Sequence, residues 1–409
     1  MDSKNFRGII ELGNLNFKCV IFKVNDNNES EILSTSIVSS QGIHNCVLIN
    51  TKKASDAIRQ CISNAEKKAG VLLKKINIIL EQPEFICTKL SKHKKIDGSK
   101  IDEYDIEFLL KEAKKEVTLN DDKQSIIHIF NHNYVVDGKT FLEEPIDVYA
   151  DFISHEMTII TMPKNNLKNI YQAFIDCDLE VERIFSNTFV LGAELFDHNK
   201  LKHGSILLDF GFEKTSLGFF KNFALIHSMT FPIGINHLLK DISKVCSLTL
   251  EESEKIKNFI DFSFQNNQEI FDENKYLKNS FFISSKYRKI SQNLVLDVVR
   301  ARLDEIFNSL KKQLILAGFN LNSGIKILLT GGGSNLSNID KCFSNFFGPN
   351  VSRSYNNAPT DKNLENNFDA CFGALKIIKD GWETEAIPKR NSKNIEKIGF
   401  FAKIFNFNK

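Results

Sequence analysis

Two stretches of the chain open in the same way, and this repetition limits the folds open to the sequence more than any other feature. Residues 6 to 24 read as strand, tight Gly-Asn turn and strand, which predicts a β-hairpin. A helical period over residues 51 to 69 and a short apolar strand follow, so this part favours an α/β layer. Residues 204 to 230 then repeat the opening as successive strands joined by tight turns. We therefore expect a duplicated α/β fold, since 409 residues exceed what one hydrophobic core usually fills.

The sequence changes character between about Glu84 and Met162. This stretch holds a charged helix at residues 103 to 117 and two strands with alternating polarity. A helix at residues 164 to 176 and a short strand then return to the earlier pattern, so the stretch reads as an insertion. The part from Leu248 to about Phe307 is Lys/Glu/Asn-rich, and its pattern predicts mostly helix.

Composition argues against several classes of protein. A net charge of +2 gives no general attraction to nucleic acid. The eight cysteines are spread singly without a C-x-x-C pair, which indicates reduced, cytosolic thiols. The polar start of the chain and the lack of any stretch of about 18 apolar residues favour neither secretion nor a membrane span. His128 and His132 lie in a strand-like run, where their spacing does not predict a zinc site.

Three strand ends carry the residue types that a nucleotide site needs. At Glu11-Leu12-Gly13-Asn14 a hairpin turn can aim backbone N–H groups at phosphate oxygens. Leu208-Asp209-Phe210-Gly211 places a carboxylate at a strand end, where it can orient metal-bound water. Thr330-Gly331-Gly332-Gly333-Ser334 leaves room for a flat ring against the backbone, before a helix that we expect to begin at about Asn335.

Each of these elements alone is also the pattern of an ordinary tight turn. Their order is more specific, because a hairpin opens each half and a glycine-rich turn lies near the end. Together they indicate the actin-like ATPase fold, an α/β fold in which two related lobes close over ATP.

Several longer motifs resemble FtsA, the bacterial actin-like cell division protein family, over almost the whole chain. Residues 126 to 161 resemble the strands of a subdomain that this family carries as an insertion. Phe231-Pro232-Ile233-Gly234, followed by Asp241-Ile242, is similar to its Pro-x-Gly…Asp-Ile segment. Residues 253 to 257 resemble a helix whose Glu and Lys face the ribose, here Glu254 and Lys257. The run from Leu328 to Ser334 matches the adenine-side motif.

The resemblance implies a site for ATP, with Mg²⁺ as a candidate companion and Asp209 as the catalytic carboxylate. The nucleotide-binding residues that it implies are Gly13, Asn14, Gly211, Thr215, Gly234, Glu254, Lys257, Gly331, Gly332, Gly333 and Ser334. No resident metal site is expected.

Two loops depart from the family pattern. Asn14 and Asn16 stand where the first phosphate loop usually has Thr and Lys, so a hydroxyl and a positive charge are lost. Glu213 replaces a glycine of the second loop and adds bulk and negative charge, which the neighbouring Lys214 can offset. We expect weaker anion binding, with nucleotide binding retained and ATP turnover slow or absent, since Asp209 is the one obvious carboxylate for positioning metal and water.

The resemblance also implies a subdomain layout of two lobes and four subdomains with the FtsA-type insertion. The expected boundaries are 1–83 with 163–197 for the first-lobe actin-like subdomain, 84–162 for the insertion, 198–230 with 308–380 for the second-lobe actin-like subdomain, 231–307 for the helical subdomain, 381–393 for a linker and 394–409 for an amphipathic helix.

The last sixteen residues have the pattern of an interfacial helix. At about 100° per residue their apolar side chains fall in one broad arc, and a basic linker precedes them. The residues expected to bind the membrane are Ile398, Phe401, Lys403, Ile404 and Phe405. The alternative is a helix docked on the body of the protein, but the polar linker and the terminal position favour the membrane.

As a function, the resemblance implies a scaffold that forms filaments, recruits other division proteins and anchors the tubulin-like FtsZ at the cytoplasmic face of the inner membrane, at the division site. The C-terminal peptide of FtsZ would dock on the helical subdomain, where Lys286, Arg288 and Lys289 are the candidate contacts. An ordinary solvated helix end is an equal explanation of that cluster. The alternative functions are an actin-superfold kinase and a pilus-assembly scaffold. The terminal helix argues against both, and no second acidic loop offers a kinase base.

Overall fold

The computed structural model describes residues 6–24, 30–318, 324–354 and 368–380. The chain divides into two compact units. The first comprises residues 1–204, 218–229 and 358–409, and the second comprises residues 205–217 and 230–357. The predicted linker at 381–393 and the predicted amphipathic helix at 394–409 lie outside the described residues.

The described part of the chain is built from alternating strands and helices. Its strands are β1 (Phe6–Leu12), β2 (Asn16–Val24), β3 (Ser30–Ser39), β4 (Ile43–His44), β5 (Val47–Leu48), β6 (Lys75–Leu80), β7 (Ile86–Lys100), β8 (Gln124–Val136), β9 (Lys139–Phe141), β10 (Tyr149–Pro163), β11 (Glu180–Ser186), β12 (Ser205–Phe210), β13 (Thr215–Lys221), β14 (Ala224–Phe231), β15 (Lys326–Thr330) and β16 (Val351–Arg353). Its helices are α1 (Thr51–Ala69), α2 (Glu103–Asn120), α3 (Lys164–Ile175), α4 (Asn187–Leu195), α5 (His198–His203), α6 (Ile235–Cys246), α7 (Leu250–Phe259), α8 (Gln292–Leu316), α9 (Ile339–Phe347) and α10 (Asp369–Asp380).

The first unit contains a five-stranded sheet in the order β11-β6-β1-β2-β3. The predicted opening hairpin is confirmed as the antiparallel pair β1–β2, while β1, β6 and β11 run parallel. Helix α1 packs on the sheet through a buried face that includes Ile58 and Ile62. Asn50 caps its first turn and Gly70 ends it in the left-handed conformation, as capping rules predict.

The inserted subdomain is a second, separate sheet of the first unit, in the antiparallel order β7-β10-β8-β9. Helix α2 covers one face, and Leu109 and Leu110 pack into a core with Met157 and Ile159 of β10. Asp102 caps the helix in a reciprocal capping box. The predicted charged helix and alternating strands are therefore confirmed.

The second unit contains the parallel strands β12, β15 and β16, which pair in that order. The boundary between the units runs through β13 and β14. Strand β12 is buried along its whole length, as expected for a strand covered on both faces. Helices α6 and α8 pack together beside this sheet, and α7 packs on α6.

Two predictions for the second unit are wrong in part. Residues 260 to 291 are mostly irregular, between α7 and α8, because Asp261 and Asp272 bind backbone N–H groups that a helix would use. The helix expected at about Asn335 begins at Ile339, since a short 3-10 turn occupies Gly332–Asn335 first.

Candidate functional site

The ends of β12 and β15 bring two of the predicted loops together in the second unit. The strands are parallel neighbours, and Asp209 lies directly opposite Thr330. The loops that follow them therefore start side by side, at the carboxyl edge where α/β sheets bind ligands. Asp209 is buried, with 7% of its surface exposed.

The three glycines after β15 differ in what surrounds them. Gly331 has φ +84°, and a Cβ there would lie 2.2 Å from Asp209 Oδ1. A Cβ on Gly333 would lie 2.3 Å from the Phe210 ring. No atom lies within 4 Å of the position that a Cβ on Gly332 would take. The outer glycines thus permit close packing of the two loops, and the middle glycine leaves open space.

Ser334 is held inside the turn that follows. Its hydroxyl donates to the carbonyl oxygen of Gly331 at 2.7 Å, and its backbone N–H donates to the same oxygen at 3.0 Å. The side chain is buried, so its local role is to close the glycine turn.

The loop after β12 is a tight turn on which α6 begins. The Gly211 N–H donates to the Lys214 carbonyl at 2.9 Å, and the Thr215 hydroxyl donates to the Ile233 carbonyl at 2.7 Å. A Cβ on Gly234 would lie 2.6 Å from the carbonyl oxygens of Gly211 and Phe212. The second loop keeps its compact shape although Glu213 has replaced a glycine.

Glu254 and Lys257 lie on α7, one turn apart. Their charged groups are 3.9 Å from each other; Glu254 is mostly exposed, while only 12% of the Lys257 side chain is. Burial lowers the pKa of Lys257, and the charge of Glu254 opposes that shift. The predicted residues of the second unit thus form one group around β12, β15 and the start of α6, with this pair on the helix that packs against α6.

The first predicted loop belongs to the first unit and is held differently. The Asn14 side-chain oxygen accepts a hydrogen bond from the Cys46 N–H at 2.6 Å. The Ser40 hydroxyl donates to the Gly13 carbonyl at 2.6 Å. Asn14 therefore fastens the hairpin turn to the β4–β5 segment, a role that its replacement of Thr did not suggest.

Glu81, a buried carboxylate in the first unit, was missed at the sequence level. It directly follows β6, and its Oε2 accepts from the Ser186 hydroxyl at 2.7 Å and from the Thr188 N–H at 2.9 Å. The carboxylate thus lies at the N-terminus of α4, where the helix dipole favours negative charge. A Glu-Gln pair directly after an apolar strand was the available signal.

Glu252, also missed, organises the loop that carries the candidate partner contacts. It is fully buried, and its Oε1 accepts from the N–H groups of Ile283, Ser284 and Ser285 at 2.7 to 2.9 Å. Burial alone would raise the pKa of this carboxyl, but these bonds and the one from the Ser285 hydroxyl hold the pKa well below its usual range. Glu252 is therefore ionised at neutral pH.

The three candidate partner contacts are not equivalent. Arg288 donates to the carbonyls of Cys246 and Ser247, and so caps the end of α6. The Lys289 ammonium lies over the Tyr276 ring at 5.5 Å. Much of the charge of this cluster is therefore engaged within the second unit, and its role in partner binding stays a prediction.

The described residues show no group of three or more His, Cys, Asp or Glu side chains that could hold a metal ion. No helix in this part of the chain is long and apolar enough to cross a membrane.

The strand order and glycine loops define a protein of the actin-like ATPase class, and comparison with solved structures agrees. The PilM-PilN type IV pilus biogenesis complex matches with a TM-score of 0.61 at 13% identity, over 90% of this chain and 96% of that chain. MreB5 of Spiroplasma citri bound to ADP matches with a TM-score of 0.50 at 16% identity, over 93% and 98%. At these identities the likeness shows the fold alone.

The chain belongs to the FtsA family of bacterial cell division proteins. The family model described as cell division protein FtsA matches residues 206–370, and that of the SHS2 domain inserted in FtsA matches residues 85–161. FtsA of Buchnera aphidicola subsp. Schizaphis graminum is 24% identical over 99% of this chain and 98% of its own length. FtsA of Agrobacterium fabrum is 22% identical over 84% and 79%. The predicted resemblance, the actin-like fold and the inserted domain are therefore confirmed.

Proposed function

We propose that this protein is a nucleotide-binding scaffold that tethers the division machinery to the inner face of the cytoplasmic membrane. The observation that carries the proposal is the packing of the FtsA-type glycine motif: Gly331 and Gly333 have no room for a side chain, while Gly332 opens on empty space. Such a pattern is expected where backbone must stay bare for a ligand.

The residues of the second unit fit a bound nucleotide. Gly331, Gly332 and Gly333 would hold the base, Gly211 and Gly234 keep the second loop compact, and Lys257 with Glu254 would face the ribose. ATP would supply a phosphate-dependent signal for assembly rather than rapid chemistry, because Asn14 and Glu213 have replaced groups that favour anion binding. Mg²⁺ stays a candidate companion of ATP, with Asp209 as the nearest carboxylate.

ATP binding and turnover are tested by calorimetry and by steady-state hydrolysis with the purified full chain. We expect binding that Gly332→Leu abolishes and turnover at the background rate. Steady hydrolysis that disappears in Asp209→Ala would show instead that the site is an active ATPase.

The partner would be the C-terminal peptide of FtsZ, docked on the helical subdomain proposed at residues 231–307. The loop fixed by Glu252 presents Ile283 and Tyr287, each 51% exposed, next to Lys286. An apolar and basic surface suits a peptide with apolar and acidic residues. In a fluorescence anisotropy titration we expect Lys286→Glu to weaken peptide binding about ten-fold, and Lys240→Glu on α6 to leave it unchanged.

Attachment to the membrane would come from residues 394–409. One copy of a short amphipathic helix binds reversibly, whereas a filament that presents many copies binds far more tightly. Flotation with anionic liposomes should recover the full chain and lose the chain truncated after Lys393. Equal flotation of the two would remove the tail from the proposal. The location that follows is the division site, together with FtsZ, further copies of the chain and other division proteins.

A further inference from the structure

The five strands of the first-unit sheet share one edge that carries exposed apolar and basic residues. Strands β1, β6 and β11 are parallel and begin at this edge, which we call the amino edge. The loop between α1 and β6 lies there, and Leu72 in that loop is 78% exposed. So large an exposed fraction is unusual for a leucine in a short, well-defined connection, and it indicates a contact surface when charged residues surround it.

A cavity of about 470 Å³ opens beside Leu72 on this edge. Its lining includes Phe6, Arg7, Leu72, Lys74, Lys75 and Glu182. Three cations thus surround one apolar hollow. Glu182 is occupied by the Asn77 side chain at 3.0 Å, and Lys75 pairs with Glu180 at 3.4 Å. Lys74 is exposed and makes no ion pair with a residue that the structure describes.

The chain leaves the first unit at the same edge. The Lys379 ammonium, in the last turn of α10, donates to the Ser30 hydroxyl at 3.3 Å. Ser30 pairs with Val24 at the end of β2, and Lys23 pairs with Phe6 at the start of β1. The basic linker that follows Asp380 therefore starts next to the surface formed by Leu72 and the three cations.

Acidic residues divide the amino edge into two parts. Ile175, before β11, is 61% exposed, but Asp176 and Asp178 flank it. Leu72 has Lys74 and Lys75 close in sequence and Arg7 in the same cavity. An anionic surface would therefore approach the Leu72 side and avoid the Ile175 side.

We propose that the Leu72 side of the amino edge is a second membrane contact, in which Leu72 enters the headgroup layer while Arg7, Lys74 and Lys75 meet anionic lipids. The inference rests on the proposed tether, because the terminal segment would bring the edge to the bilayer. Each contact alone is weak, and joined on one chain they act as a bivalent attachment. The contact would also fix which face of the first unit is turned toward the lipid.

The test places an environment-sensitive fluorophore on the full chain as Leu72→Cys, with Ile49→Cys as the matched control. Ile49 is 70% exposed and lies before α1, at the opposite edge of the sheet. With phosphatidylglycerol vesicles we expect a blue shift and about a three-fold rise in emission at position 72 and no change at position 49. Phosphatidylcholine vesicles should leave both labels unchanged.

A second measurement uses flotation of two charge-matched double variants. Leu72→Asp with Lys74→Glu should lower the apparent affinity for anionic vesicles about ten-fold, while Ile49→Asp with Lys52→Glu should not. If the chain floats but the label at position 72 stays in water, the tether stands and the second contact is wrong. If the chain does not float at all, both are wrong. A response of the label to polyglutamate, without a response to vesicles, would identify an acidic polypeptide as the occupant and overturn the lipid contact.

Discussion

The glycine-rich loops of the second unit and the first loop of the first unit are held in opposite ways. Around β12 and β15 the loops touch through bare backbone, and a Cβ at Gly331 or Gly234 would overlap an oxygen atom. Around β1 the turn is held by one side chain, since Asn14 binds the Cys46 N–H. The difference teaches that backbone packing preserves a ligand-shaped space, whereas a side-chain tie fills the place of a catalytic group with a structural one.

The largest expected effect comes from adding a methyl group at Gly331. Gly331→Ala combines a left-handed backbone with a Cβ 2.2 Å from Asp209 Oδ1, so we expect a loss of about 4 kcal/mol in the free energy of unfolding. Gly332→Ala, one residue away, should cost less than about 0.5 kcal/mol, because nothing lies within 4 Å of its Cβ. Chemical denaturation of both variants measures the contrast, and equal losses would show that the middle glycine is also packed.

Glu252 offers a second test, because it is a side chain that holds a loop in the unit where backbone packing dominates. Glu252→Gln keeps the size but places an NH₂ group among N–H and O–H donors, so we expect a loss of about 3 kcal/mol. Hydrogen exchange should rise at residues 283–285. The matched control is Glu254→Gln on the same helix, which is exposed and should change stability by less than about 0.5 kcal/mol.

Acid should separate the two units by the pH at which each weakens. Burial, aided by Lys89, lowers the pKa of His132 in the first unit to about 4, and burial lowers that of His155 to about 3. The unfolded chain binds these protons near the ordinary histidine pKa of about 6.5, so the first unit loses stability as pH falls from about 6.5 toward 4, by roughly 2 kcal/mol per histidine.

The carboxylates of the second unit respond at lower pH. Burial would raise the pKa of Asp261, but hydrogen bonds from Ser263, Asn266 and Asn338 lower it to about 2. Because the native pKa is depressed, this stabilisation is present above about pH 4 and is lost as pH falls toward 2. Hydrogen exchange, corrected for intrinsic rates, should therefore show the inserted sheet opening between pH 6 and 4 before the loops around Asp261 respond. Simultaneous opening would contradict the assignment.

The fold and the glycine cradle could be predicted because their signals are local. Hairpins, capping residues and three successive glycines act within a few residues of sequence, and all appear where they were expected. The roles of Glu81 and Glu252 could not be predicted, since their partners at Ser186 and at residues 283–285 are distant in sequence. The irregular segment 260–291 was misread as helix for a related reason: Asp261 gains its partner Asn338 only in the folded second unit.

The smallest expected effect tests the side-chain tie itself. Asn14→Ala removes the acceptor of the Cys46 N–H and should cost about 1 kcal/mol, while the backbone turn at Gly13 stays fixed by Ser40. If Asn14 serves structure alone, the affinity for ATP measured by calorimetry should change less than two-fold.

Asn14→Thr sharpens the same point. Threonine restores the hydroxyl that the family usually carries, but its shorter side chain gives up the bond to Cys46. We expect ATP affinity to rise as stability falls, because the two roles compete for one position. A variant that gains stability and affinity together would show that the tie and the anion site are compatible, and the contrast between the two kinds of loop would then lose its functional meaning.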